Sequence, residues 1–399
     1  MKSREGHLSV GVYGARGIPS TYSGYETFLT TLLPELVDRG MNVTMYCRAE
    51  EGMGNSTWQG VRRSVLPSIG GKNTSTLSHG LVAAVASRRA RHDVVLVVNV
   101  SNALYCALGR YSGQPVVLNT DGQEWLRGKW GRAARGIFHG SAKIAGRCAT
   151  ALVADCEAMA EVYRTEFGAN STVIPYCVPL SGWQPDPSVV RQRGLEPGKY
   201  CLIAGRLNPE NNIDRIAHQY ASSTLELPLV ILGAANYESP VLEELKELAR
   251  RDRRIRILGH VDNRSEFFNL LHHGGVYLHG HSVGGTNPSL VEAMGVGARI
   301  CAFDTQFSRE TLGDHAGYFT LEPSTLASTI SAVLSDSPGQ DLARRTALQE
   351  RAADRFSISS VVDAYEALLR EAAEARRPLV LPTRWSQPER DLGSYAPNT

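Results

Sequence analysis

Short, continuous apolar runs alternate along the chain with longer amphipathic stretches, as in parallel strands covered on both faces by helices. Leu8–Tyr13 is such a run. After a glycine loop come Phe28, Leu29, Leu32, Leu33, Leu36 and Val37 at helical spacing, then Gly40 and a second run, Asn42–Cys47. This succession predicts a βαβ unit. Pro34 falls inside the helix and predicts a kink or an early stop there. Asp93–Asn99, Pro115–Asn119, Ala151–Asp155 and Thr172–Tyr176 predict the remaining strands of a first α/β half. Gly182 to Gly198 is rich in Pro, Gly and polar residues and predicts a linker. Tyr200–Ala204, Leu229–Gly233, Ile255–Gly259, Val276–Leu278 and Ala298–Phe303 then predict the strands of a second half. Val361–Leu369 opens a late helix expected to run to about Arg376, and beyond Arg377 the polar, proline-containing composition predicts no packed structure. The expected organisation is a domain over residues 1–181, a linker over 182–199, a domain over 200–358, a terminal helix over 359–376 and a tail over 377–399.

Composition narrows the function. With 42% hydrophobic and 21% charged residues, the 399-residue chain has the make-up of a soluble globular protein, and no apolar run approaches a membrane span. Residues 1–7 lack the apolar core of a signal peptide, so a cytoplasmic location is expected. The seven cysteines form no CxxC pair, which argues against a zinc ribbon or a disulfide framework. A net charge of +2 gives no reason to expect nucleic acid as a partner. His272, His273, His279 and His281 crowd one region, but their spacing on a helix and a strand end does not converge on a metal.

The chemistry centres on His281–Gly295. An apolar strand is followed by Gly284-Gly285, then Thr286, Asn287 as an N-cap and Pro288 at the first helical position. Free N–H groups and the helix dipole at such a terminus suit a diphosphate, and Glu292 is placed to accept hydrogen bonds from hydroxyls. The plainer reading is a βα turn whose glycines serve packing. Gly14-Ala15-Arg16-Gly17 after the first strand is not a GxGxxG loop, and Cys47-Arg48 stands where a dinucleotide site needs an acid. A nicotinamide dehydrogenase is therefore a poor fit. Thr120-Asp121-Gly122-Gln123-Glu124-Trp125 ends another strand and reads either as a polar site or as an Asp-Gly turn opening a helix. Arg127, Lys129, Arg132, Arg135, Lys143 and Arg147, interleaved with Trp130, Ile137 and Phe138, suit an anionic membrane surface, a diphosphate-bearing acceptor or simply a solvated helix face.

Two Rossmann-like halves with a linker and a terminal helix resemble the GT-B nucleotide-sugar glycosyltransferases. Gly205-Arg206-Leu207 with its Pro-Glu-Asn-Asn turn resembles the phosphate loop of family 4 of these enzymes, and Asn287–Met294 resembles the end of their glutamate–seven residues–glutamate motif. Gly14–Pro19 with Tyr22–Glu26, Asn119–Gly122, Glu124-Trp125 and Phe307–Glu310 resemble the rhamnosyltransferase-like branch of bacterial polysaccharide assembly. Together these motifs cover roughly residues 8–375. The resemblance implies retaining transfer of a sugar from a nucleoside diphosphate, with dTDP-rhamnose the favoured donor, to a saccharide or lipid-linked glycan, without cofactor or required metal. A UDP- or GDP-sugar donor, or a degenerate sugar-nucleotide-binding subunit, are the alternatives.

The resemblance also implies roles for individual residues. Asp121, Arg206 and Glu292 would carry the chemistry; Gly14, Gly17, Gly205, Asn211, Gly284, Gly285, Thr286, Asn287 and Arg309 would join Arg206 and Glu292 around the donor. Tyr22, Tyr25, Glu26, Glu124 and Trp125 would face the acceptor, and the terminal helix would return to the first domain. Two positions depart from the wider family: its first motif glutamate is Gly284 here, and its phosphate-loop lysine is Asn211. Arg206 could instead pair with Glu210, and Arg309 with Glu310.

Overall fold

The protein is described by a computed structural model covering residues 7–20, 24–52, 54–69, 75–127, 131–177, 180, 182–233 and 240–375. Two sheets account for its strands. The first holds β1 (Ser9–Tyr13), β2 (Asn42–Arg48), β3 (Thr57–Trp58), β4 (Val61–Leu66), β5 (Val94–Val98), β6 (Val116–Asn119), β7 (Ala151–Ala154) and β8 (Thr172–Val173). Their spatial order is β3-β4-β2-β1-β5-β6-β7-β8, parallel throughout except for the β3–β4 pair. Its helices are α1 (Gly24–Asp38), α2 (Ser75–Ala90), α3 (Cys106–Ser112), α4 (Arg132–Cys148) and α5 (Glu157–Phe167). After α6 (Pro187–Gln192), the second sheet holds β9 (Cys201–Ala204), β10 (Leu229–Leu232), β11 (Ile255–Gly259), β12 (Val276–His279), β13 (Ile300–Phe303) and β14 (Gly317–Phe319). These lie in the all-parallel order β11-β10-β9-β12-β13-β14. Around it run α7 (Ile213–Ala221), α8 (Pro240–Arg251), α9 (Arg264–His272), α10 (Pro288–Gly295), α11 (Gln306–Leu312), α12 (Thr325–Leu334), α13 (Pro338–Phe356) and α14 (Ile358–Glu374).

The central strands are buried on both faces, which is why they read as unbroken apolar runs. All five residues of β5 and all four of β6 and β10 are buried. Helix α1 does not stop at Pro34. Leu29, Leu32, Leu33 and Leu36 are fully buried on either side of it. At about 1.5–3 kcal/mol per buried leucine, their packing offsets the roughly 3 kcal/mol that an interior proline costs.

Residues 182–199 are not a bare linker. Asp186 caps α6 by accepting the Ser188 N–H at 2.9 Å, and Val190 and Leu195 enter the core of the second domain. Proline at the start of a helix is a capping device as much as a breaker, which composition alone does not separate. Helix α14 packs on the first domain. Val361, Val362, Tyr365, Leu368, Leu369 and Ala372 join the core formed by α1 and the first sheet, and Arg39, just past α1, pairs with Asp363 and Glu366. The expected tail over 377–399 lies outside the described residues.

Candidate functional site

An open parallel sheet binds ligands beyond the carboxyl ends of its strands, where the strand order reverses. In the second sheet that point lies between β9 and β12, and the loops that follow them are residues 205–212 and 280–287. In the first sheet it lies beside β1, and the loops after β1 and β6 face the same cleft. The two sets of loops meet closely. A Cβ built on Gly122 would stand 3.5 Å from Gly284 Cα, and one built on Gly285 would overlap the Asp155 carboxyl, 1.8 Å from Oδ1. Thr286 Oγ1 donates to the Asp155 backbone carbonyl at 2.9 Å, crossing the same gap.

The loop after β1 is set from within. Gly14 has φ of 114°, and a Cβ there would lie 2.0 Å from the Val98 carbonyl oxygen, so only glycine fits. Glu26, fully buried, accepts the Arg16 N–H at 3.0 Å and the Ser20 hydroxyl at 3.0 Å. Both carboxylate oxygens are thus spent on shaping residues 14–20, so Glu26 supports the loop and does not meet an acceptor as expected. Tyr25 is half-buried, and burial followed by the charges of Glu26 and Asp121 raises its hydroxyl pKa well above the ordinary value. Tyr22 lies outside the described residues.

The loop after β6 carries the charge. Asp121 has φ of 50°, held by its N–H donating to Asn119 Oδ1 at 3.1 Å, while Tyr176 OH donates to Asp121 Oδ1 at 3.0 Å. Burial pushes its pKa up to about 6, against the pull of Arg127 and Arg206. Arg127 is buried and paired with Glu124, Nε to Oε1 at 2.7 Å. Burial opposes its charge, but Glu124, Asp121 and Glu210 outweigh that and raise its pKa. Glu124 is therefore a counter-ion. Trp125 is not the expected acceptor platform: it is buried edge-on against His139, Tyr163 and Phe167, as core.

On the second domain, Asn287 caps α10 by accepting the Ser289 N–H at 3.0 Å, with Pro288 at its first position. Glu292 is buried and paired with Arg264, the first residue of α9; burial raises its pKa and Arg264 lowers it. Arg206 makes no ion pair or side-chain hydrogen bond among the described residues, and buried Glu210 has a partner on neither carboxylate oxygen. The suggested Arg206–Glu210 pair is therefore not formed. Gly205 packs beside Asn211, and Gly17 also has positive φ, 152°. Arg309 is held by Asp304 through two hydrogen bonds, 2.5 and 2.7 Å, and lies over the Tyr318 ring. It is committed there, not to the donor loop and not to Glu310.

Asp155 and Arg264 reach the cleft cluster without a sequence expectation, alongside Arg127 of the basic run and His281 of the glycine stretch. For Arg264 a signal existed: it follows Asn263, a cap, a few residues beyond the carboxyl end of β11. Among the described residues, no group of three or more His, Cys, Asp or Glu side chains could hold a metal ion.

Two doubly wound parallel sheets with their switch points facing across a cleft define a two-domain α/β protein of the GT-B class. A Glycosyl transferase 4-like domain matches residues 23–177 and a Glycosyl transferases group 1 domain matches residues 189–355. Each half of the chain thus carries a glycosyltransferase family domain. A comparison with curated protein sequences returned no match. Solved structures share the fold. Sucrose-phosphate synthase from Thermosynechococcus elongatus is 15% identical, with a TM-score of 0.77 over 92% of this chain and 100% of that one. Anabaena HepE in complex with UDP-glucose is 15% identical, with a TM-score of 0.72 over 91% and 99%. The trehalose-6-phosphate synthase OtsA is 8% identical, with a TM-score of 0.71 over 91% and 99%.

Proposed function

We propose that the protein transfers a sugar from a nucleoside diphosphate to a hydroxyl of a saccharide or lipid-linked glycan, with retention at the anomeric carbon and with dTDP-rhamnose as donor. The supporting observation is the meeting of Asp121 and Arg127 from one domain with an unpaired Arg206 and the Gly284–Asn287 loop from the other. In this reading the bond between the anomeric carbon and the phosphate oxygen breaks as the acceptor oxygen bonds to that carbon. The acceptor proton passes to the departing diphosphate. Arg206, the loop N–H groups and the α10 terminus stabilise the charge the diphosphate gains. Asp121 accepts hydrogen bonds from hydroxyls of acceptor or donor and orients them, and Glu292, steadied by Arg264, holds the ribose hydroxyls. No metal is assigned a part.

Gly284 and Gly285 favour an active site over a decayed one. Each sits where the backbone or the opposite domain demands glycine. The test is thermal unfolding with dTDP, UDP and GDP, repeated for Glu292→Gln. A ligand at a hundred times its Kd stabilises by about 2.7 kcal/mol. Selective stabilisation by dTDP, weakened in the variant, supports the full reading. UDP or GDP in its place changes the donor, and no response removes the transferase reading.

A peripheral membrane contact belongs to the same proposal. Ile137 and Leu126 are each 47% exposed, and Arg132, Lys143 and Arg147 are exposed in the same stretch of chain. Arg135 is instead tied to the Trp125 carbonyl, and Trp130 lies outside the described residues. No described helix is long and apolar enough to cross a membrane. Binding to anionic liposomes, lost when Arg132, Lys143 and Arg147 are neutralised, is the expected result.

A further inference from the structure

Asn211 and His281 join the two loops of the second domain. Asn211 Nδ2 donates to the Arg206 backbone carbonyl at 2.6 Å. A carbonyl can only accept, so the amide orientation is decided and Oδ1 is left as an acceptor. His281 Nδ1 stands 2.6 Å from that Oδ1, so Nδ1 must carry the hydrogen. Burial, together with the charges of Arg127, His279 and Arg206, holds the imidazole well below its ordinary pKa; the Val283 backbone alone pulls the other way. The ring is neutral, and Nε2 bears a lone pair.

That lone pair has no donor among the described residues. It lies 3.8 Å from where a side chain on Gly284 would begin, and Gly284 faces Gly122 of the other domain. Phosphate oxygens only accept hydrogen bonds, so Nε2 repels them and its partner must carry O–H or N–H. Between the domains, where donor and acceptor have to meet, the group with such hydrogens is the sugar.

We propose that His281 Nε2, presented by Asn211, accepts a hydrogen bond from a hydroxyl of the donor sugar and so distinguishes the nucleotide sugar from the bare nucleotide. This rests on the transferase reading above.

The experiment is calorimetric titration of three pairs, UDP and UDP-glucose, GDP and GDP-mannose, dTDP and dTDP-rhamnose, into wild type and His281→Phe. For the pair that binds, the variant should weaken the nucleotide sugar about five- to tenfold and leave the nucleoside diphosphate unchanged. Equal losses for both ligands, or none, overturn the proposal. Wild type that binds no member of any pair sinks the transferase reading and this inference with it. Long-range proton–nitrogen NMR of wild type, with His281 assigned from its absence in the variant, reads the tautomer without a ligand. Nδ1–H is expected at neutral pH; Nε2–H or imidazolium overturns the proposal even if the transferase reading stands.

Discussion

The Glu310 carboxylate of the second domain accepts the backbone N–H of Glu157, in the first, at 2.7 Å, and that of Ala158 at 2.8 Å. These are the opening residues of α5, whose own N-cap residue, Cys156, makes no capping side-chain hydrogen bond. One domain thus supplies the helix cap that the other lacks.

Replacing Glu310 by Ala should therefore open the molecule. A lost cap costs about 1 kcal/mol, which lowers the closed-to-open ratio about fivefold. Small-angle scattering should show a larger radius of gyration and turnover should fall. An unchanged radius would show that Glu310 does not govern closure.

Gly285→Ala tests the same interface where it touches the site. The new methyl group would collide with the Asp155 carboxyl, while the backbone there is not in the left-handed region. Turnover should drop at least about tenfold with little change in urea stability. Combining it with Asp155→Gly should restore part of the loss, a coupling that a double-mutant cycle measures.

Gly284→Glu returns the wider family's residue to this chain. At φ of 105° the substitution should cost about 1–3 kcal/mol and bring no gain in nucleotide affinity. Chemical denaturation and titration on one preparation decide it. A stable, tighter-binding variant would mean that the loop readily adapts to a side chain.

Burial pushes Asp121 up to about 6 and Asp155 up to about 7, against about 3.9 in an unfolded chain. The folded state then holds protons that the unfolded chain has released, so these groups lower stability as pH rises from about 4 to about 7. Asp155→Asn should raise stability at pH 8 relative to wild type and change it little at pH 4. Turnover runs the other way: Asp121 orients hydroxyls through charge-assisted hydrogen bonds only when ionised, so kcat/KM should fall as pH drops through about 6. Urea titrations at both pH values and a pH–rate profile check the two signs.

Glu26→Ala should cost about 2–3 kcal/mol, since it strips a buried carboxylate from the Arg16 N–H and the Ser20 hydroxyl. The loop over residues 14–20 should then cleave faster in limited proteolysis. Unchanged cleavage would show that the loop is shaped by Gly14 alone.

How far the sequence revealed the molecule followed how local each determinant is. β5 and β6 announced themselves because burial on both faces leaves only apolar side chains. β4 did not, since Arg62, Arg63 and Ser64 interrupt it, and the three-residue β14 is too short to show a period. The glycine loops and the Asn287 cap were readable because their demands fall on adjacent residues. What Glu26, Trp125 and Arg309 do is decided by groups brought up by the fold. A buried carboxylate, a core indole and a committed guanidinium look in sequence like site residues. Arg264 and Glu292 lie 28 residues apart and pair only once α9 and α10 are placed.

Asn119, whose Oδ1 holds the Asp121 backbone, also donates through Nδ2 to Tyr365 OH of α14, a partner 246 residues later at 2.7 Å. On the ribosome, the first domain emerges long before that partner exists. The aspartate loop has to wait, its support incomplete, until the last helix has been made and has folded back. Synthesis itself therefore orders the events, and the cleft gains its full geometry only when both domains are already present to close it.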